Sequence, residues 1–177
     1  MRIIGGKHRG RVLAEFKGKD IRPTADRVRE SLFNILAPRL AGARVLDLFC
    51  GSGTLGLECI SRGAREVVFN DSSRSSLEVL KKNLARIGER AEVLNLGYEV
   101  CLARVTGQFD LVFADPPYAC DYLPDVGARL AARGLLAEGG LLVYESEHKG
   151  LPAPEGLIKT DERGYGRTYL AFFGRTV

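Results

Sequence analysis

The chain has 177 residues, 45% of them hydrophobic and 27% charged, with a formal net charge of +4. That length and balance fit one globular unit with its own core and exclude a disordered chain. No apolar run approaches the roughly 20 residues of a membrane-spanning helix, and the opening MRIIGGKHRGR lacks the apolar stretch of a secretion signal, so a cytoplasmic protein is expected.

In chain order, Arg2–Ile4 and Arg11–Leu13 flank GGKHRG and predict a short hairpin with a glycine-rich turn. Arg22-Pro23 favours extended backbone up to the proline, after which Thr24 is an expected N-cap. Val28, Leu32 and Ile35/Leu36 recur at helical spacing, and Pro38 is expected to close that helix. From residue 44 the chain alternates. Strands are predicted at Arg44–Phe49, Glu66–Asn70, Glu92–Leu96, Phe109–Ala114 and Leu141–Glu145. Helices are predicted at Thr54–Arg62, Ser72–Ile87, Tyr98–Val105 and Asp121–Arg133. Strands this apolar, separated by helices, predict an α/β fold with a parallel sheet covered on both faces. Leu157–Thr160 and Thr168–Phe173, joined by DERGYGR, leave no room for a helix and predict a terminal antiparallel hairpin. Two parts are therefore expected: a hairpin-and-helix extension over 1–43 within the same domain, and a core over 44–177.

Charge follows the same division. Residues 1–44 hold eight arginines and three lysines against four acids, a net +7, and the remainder is −3. Such asymmetry fits a polyanionic partner touched by the extension, although a solvated basic face has the same composition. The four cysteines (Cys50, Cys59, Cys101, Cys120) have no metal-ligand spacing and read as free thiols.

Chemistry is concentrated at three strand ends. DLFCGSGTLG (Asp47–Gly56) contains GxGxxG at Gly51, Gly53 and Gly56, between a strand and a helix. Glycines there permit a tight turn and close approach of a ligand, and alone would equally suit a dinucleotide. The carboxylate at Asp47, placed to meet an amino-acid ammonium, favours S-adenosylmethionine, as does the lack of a pyrophosphate cradle around Cys50 and Ser52. Asp71 follows the next strand, where a carboxylate can accept both ribose hydroxyls or cap the following helix. FDLVFADPPY puts Asp115, Pro116, Pro117 and Tyr118 directly after the fourth strand. In an open parallel sheet that end faces the ligand crevice. A carboxylate oxygen and a proline carbonyl can each accept one N–H of an exocyclic base amine, turning its delocalised lone pair toward a methyl donor. Tyr118 can stack on the base, which must leave any helical stack to arrive there. A plain Asp-Pro turn is the bland alternative.

With these motifs in place, the chain resembles the RsmD family of bacterial methyltransferases, which modify N2 of a guanine in 16S ribosomal RNA. The resemblance runs essentially end to end: MRIIGGKHRGR, RPTADRVRESLFNIL, DLFCGSGTLGLECISRGA, ADPPY and LLVYESE. It implies a Rossmann-like class I methyltransferase with a seven-stranded, mostly parallel sheet. It implies S-adenosylmethionine as cofactor, held by Asp47, Phe49, Gly51, Gly53, Gly56, Asp71 and Leu96, and a target amine held by Asp115 to Tyr118. It also implies RNA contacts by Arg9, Arg11, Arg22, Thr24, Arg27 and Arg29. The expected partner is 16S rRNA within the small subunit or an assembly intermediate, the expected enzyme is a monomer, and no metal is expected. In similar enzymes the acid after the second strand is usually glutamate; here it is Asp71. For the adenine contact, Asn95 and a backbone carbonyl remain open.

Other readings stay in view. DPPY also permits adenine N6 or cytosine N4 of DNA or another RNA. A nucleic-acid-binding domain with a relic pocket predicts no cofactor binding, and a dehydrogenase gives DPPY no role. His8 is expected to be an exposed hairpin residue, Tyr165 a turn residue packed on its neighbours, and Glu145 and Glu147 have no assigned role.

Overall fold

The computed structural model describes residues 1–15, 23–117 and 121–176, with side chains of the first helix described from Asp26 onward. Arg22 and Tyr118 therefore lie outside the described residues, as does the side chain of Thr24.

The elements follow the alternation. α1 (Pro23–Leu40) precedes β1 (Arg44–Asp47), α2 (Thr54–Ser61), β2 (Glu66–Asn70), α3 (Arg74–Ile87) and β3 (Glu92–Leu94). α4 (Tyr98–Arg104), β4 (Phe109–Ala114), α5 (Leu123–Ala132), β5 (Leu136–Ser146), β6 (Leu157–Tyr165) and β7 (Thr168–Arg175) complete the chain. One seven-stranded sheet has the order β3-β2-β1-β4-β5-β7-β6. β1 to β5 are mutually parallel, while β7 pairs antiparallel with both β5 and β6. Strand order reverses between β1 and β4, which makes their carboxyl ends the switch point where such sheets open a crevice.

Period-two alternation sends neighbouring strand residues to opposite faces. Val45, Val67, Leu111 and Phe113 pack with α1, α2 and α3 on one face. Leu46, Val68, Val112 and Ala114 pack with α4 and α5 on the other. The N-terminal hairpin is present as an Arg2–Val12 antiparallel bridge, and its Ile3 and Leu13 join the first face's core. The extension thus shares one hydrophobic cluster with the sheet.

Several boundaries differ from expectation for identifiable reasons. α1 begins at Pro23, so Thr24 lies inside its first turn and is not the N-cap. Pro38 sits in the last turn of α1 without ending it; the lost N–H costs one bond there, and the helix runs on to Leu40. β1 ends at Asp47 and β3 at Leu94, each two residues short of expectation. β5 starts five residues early, at Leu136, because a register irregularity near Phe109 absorbs Gly139-Gly140 into the strand. A Cβ on Gly140 would lie 2.9 Å from the carbonyl oxygens of Ala137 and Phe109, so the irregular pairing needs glycine. β6 runs through the charged residues Asp161–Arg163, which suit an edge strand facing water. The side chain at its tip, Tyr165, packs against the core and hydrogen-bonds Ser31 of α1, as expected of a packed turn residue.

Candidate active site

The loop after β1 is held open by carboxylates. Asp47 is 3% exposed, and its Oδ2 accepts the Gly56 N–H at 2.9 Å. Burial pushes this carboxyl up to about 7, the Gly56 bond pulls it down, and the Asp71 charge raises it again. Asp71 Oδ2 accepts the Gly51 N–H at 2.8 Å, and its Oδ1 accepts the Ser73 N–H at 2.8 Å. The cap of α3 is Ser73, whose hydroxyl accepts the Ser76 N–H. Asp71 therefore braces the glycine loop from below and also meets the helix start. Each carboxylate oxygen has a second lone-pair direction left for a ligand hydroxyl.

Each glycine has its own reason. Gly51 has φ +55°, and a Cβ there would meet nothing within 4 Å, so its outer side borders open space. Gly53, at φ +87°, would drive a Cβ to 2.3 Å from Leu80 of α3. Gly56 would place one 2.2 Å from the Phe69 ring, so α2 can lie flat on β2 only with glycine there. These residues suit S-adenosylmethionine: an open glycine turn beside a buried carboxylate, and a second carboxylate at the next strand end.

β4 brings the third motif alongside. Asp47 pairs in register with Phe113, and the Leu48 N–H bonds the Phe113 carbonyl at 3.0 Å. Two residues further, Asp115 is exposed, Pro116 buried and Pro117 exposed at the crevice edge. The wall beyond is aromatic. Phe49 stacks on Tyr122 at 5.8 Å and 4° between planes, and Tyr98 approaches both, at 5.7 Å and 4.8 Å. The Tyr98 hydroxyl donates to Asp125 at 2.9 Å, and Arg129 donates to the same oxygen at 2.7 Å. Burial and then Asp125 hold the Tyr98 hydroxyl above its ordinary range. Buried Tyr144 of β5 lies beside Asp115 and the start of α5. Burial pushes its hydroxyl up to about 12, while bonds with the Tyr122 and Leu123 backbone pull it down.

At the third strand end Asn95 Nδ2 donates to the carbonyls of Asp71 and Ser72, at 2.9 and 3.0 Å. These bonds use the Asn95 donor and fix its side chain on the loop, while its Oδ1 carries neither of them; Leu96, one residue on, is half-buried against the second cluster of the core. Sequence reasoning passes over Asn70. Buried at the end of β2, it donates to the carbonyls of Leu48 and Leu96 at 3.0 and 3.1 Å, tying three strand ends together.

The extension has its own anchors, also missed. Glu58 is 1% exposed within α2. It accepts the N–H groups of Ile4 and Gly5 at 2.9 and 2.8 Å and the Arg62 guanidinium at 2.8 Å. A carboxylate inside the apolar helix TLGLECIS is the signal that could have revealed it. His8 is not the exposed residue expected: its ring bonds Glu89 at 2.7 Å, beside Lys7 on the same oxygen. Burial beside this carboxylate follows from the hairpin lying on the end of α3. Arg9, Arg11 and Arg27 do face solvent. Arg29 does not. It is 5% exposed and donates to the Arg2 carbonyl at 2.7 Å and to Asp26 at 3.2 Å. It fastens the hairpin to α1 and is withdrawn from the phosphate-contact set. Cys50, Cys59 and Cys101 are buried free thiols, which burial makes harder to ionise.

Comparison with known proteins bears on the family and the fold. The family described as Conserved hypothetical protein 95 matches residues 1–174. "Ribosomal RNA small subunit methyltransferase D" of Escherichia coli K12 is 42% identical over 154 residues, covering 86% of this chain and 78% of that protein. The Haemophilus influenzae protein of the same name is 37% identical, covering 94% and 89%. A solved methyltransferase structure from Escherichia coli superposes with a TM-score of 0.88 at 39% identity, over 99% of this chain and 97% of that one. The fold is thus the Rossmann-like class I methyltransferase fold, and the chain belongs to the RsmD family.

Proposed function

We propose that this protein transfers a methyl group from S-adenosylmethionine to the exocyclic N2 amine of a guanine in 16S rRNA. The observation that carries the reading is the placement of Asp115-Pro116-Pro117 at the switch point, one strand over from the braced glycine loop. When bound, S-adenosylmethionine supplies an activated methyl on a sulfonium leaving group. Asp47 and the loop from Gly51 to Gly56 hold its amino-acid end, Asp71 its ribose, and Phe49 and Leu96 line the site. Asp115 and the Pro116 carbonyl each accept an N–H of the target amine, so its lone pair points along the line of transfer. Positioning is the main contribution, since a sulfonium needs little further activation. Tyr118, outside the described residues, is proposed to stack on the extruded base.

Exposed Arg9, Arg11 and Arg27, with Arg22 outside the described residues and Thr24 in the first turn of α1, are proposed to meet RNA phosphates. Such contacts supply affinity and register but no sequence reading. About 43 residues outside the core offer less surface than sequence reading in a DNA groove generally takes. That favours a target presented by the small subunit. The second reading, an amino-methyltransferase on adenine N6 or cytosine N4 of DNA or another RNA, rests on the same Asp115–Pro117 geometry.

The test is purified enzyme with methyl-labelled S-adenosylmethionine and 30S subunits from a strain lacking the endogenous activity, followed by nuclease digestion and chromatography. N2-methylguanosine in 16S RNA is expected. Label in DNA or another RNA, with none in 30S subunits, favours the second reading and overturns the first.

A further inference from the structure

Asn83 lies in α3 and is completely buried. The same helix face carries Leu80, against which the loop closes at Gly53. Leu77, Leu80, Leu84 and Ile87 make this face a core surface, so packing alone gives no reason for an amide there. A buried amide costs stability unless its polar atoms are bonded. These bonds go to two distant segments. Oδ1 accepts the Ala14 N–H at 2.6 Å, and Nδ2 donates to the Ala14 carbonyl at 3.1 Å and to the Ser52 carbonyl at 3.0 Å. Ala14 is gripped through both its N–H and its carbonyl, as a strand partner would grip it. It directly follows Leu13, whose N–H closes the hairpin on the Met1 carbonyl. Ser52 lies between Gly51 and Gly53. One side chain therefore joins the basic extension to the glycine loop.

We propose that Asn83 is a positioning residue that couples RNA binding at the N-terminal hairpin to cofactor binding at the Gly51–Gly56 loop. RNA pressing the hairpin onto α3 fixes Ala14; Ala14 orients the Asn83 amide; the amide fixes the Ser52 carbonyl and with it the loop. Coupling of this kind is reciprocal, so the cofactor also steadies the hairpin. The inference rests on the assignment of hairpin and loop made under Proposed function.

The experiment measures the dissociation constant of labelled S-adenosylhomocysteine by equilibrium dialysis, with and without unmodified 30S subunits. Wild type is compared with Asn83→Ala. In wild type, subunits are expected to tighten binding about fivefold or more, within the usual range for coupled sites. In Asn83→Ala that ratio is expected to fall below a third of the wild-type value. A merely structural role would weaken both affinities and leave the ratio unchanged, and an unchanged ratio overturns the inference. A wild-type ratio near one also overturns it, provided that Arg9→Ala/Arg11→Ala weakens subunit binding. If that double variant binds subunits as wild type does, the hairpin assignment itself fails. Should Asn83→Ala not fold, hydrogen exchange on wild type decides: S-adenosylhomocysteine should slow exchange of the Ala14 amide, and no slowing refutes the coupling.

Discussion

The buried carboxyl of Asp47 makes stability depend on pH in a direction opposite to most native carboxylates. Its pKa is raised by burial to about 7 from 3.8, so between these values the folded chain binds more protons than the unfolded chain. Stability from this group is therefore present below about pH 4 and declines as pH rises, with the loss complete once pH passes about 7. Three units correspond to roughly 4 kcal/mol, of which about 3 kcal/mol falls between pH 5 and pH 8. The substitution Asp47→Asn keeps a carbonyl oxygen for the Gly56 N–H and removes the titration. Thermal unfolding of both proteins, without cofactor, should be recorded at about pH 5 and about pH 8. Wild type should lose ground to the variant as pH rises, by a difference on the order of 6–12 °C for a chain of this size. Every other titrating group is common to the two proteins, so the difference isolates residue 47. Parallel melting-temperature profiles would refute the claim that Asp47 titrates in the folded state near neutrality.

Further expectations concern neighbouring residues. Asp115→Ala should abolish methyl transfer while leaving cofactor affinity within a few fold; near-normal turnover would remove Asp115 from the target-amine role. Asp71→Ala should weaken cofactor binding by about 1–3 kcal/mol, the scale of a charged hydrogen bond, and calorimetry showing an unchanged constant would count against a ribose contact. Glu58→Ala strands two hairpin N–H groups and the Arg62 guanidinium. It should cost about 3–5 kcal/mol in chemical denaturation, and a loss under 1 kcal/mol would mean that the hairpin is held elsewhere. Arg9→Ala/Arg11→Ala should flatten the salt dependence of RNA binding by about two unit slopes in log–log form. An identical slope would show that neither arginine meets phosphate.

Much of the fold is legible because β1, β2 and β4 are apolar on both sides and the helices between them carry clear periodicity. The strand-end acids are legible for the same reason: once the strands are placed, Asp47, Asp71 and Asp115 must lie at one edge of the sheet. What sequence conceals is polar residues whose partners are far away in the chain. Arg29 looks like its neighbour Arg27, yet one guanidinium is buried against Arg2 and the other is exposed. Asn83 occupies a core position between Leu80 and Leu84, and nothing local shows that Ala14 and Ser52 will come to it. The early part of β5 hides behind Gly139-Gly140, a pair that weakens any strand pattern until β4 imposes its register. The second half of β6, past the expected Leu157–Thr160, hides behind charge, since an edge strand does not need two apolar faces.

The position of β7 bears on how the chain can be made. β7, the last of the seven strands in chain order, does not add to the rim of the sheet; it fills the gap between β5 and β6. Until residues 168–175 arrive, β5 presents an unpaired edge carrying Leu142, Val143 and Tyr144, and β6 has no neighbour at all. The β6–β7 tip also delivers Tyr165 to Ser31, so α1 is not fully secured before then. A nascent chain can therefore assemble the β1–β4 part of the sheet early but must await β7 to seal the sheet and settle the first helix. Truncation within 168–175 should for that reason yield an aggregating polypeptide and not a shortened enzyme.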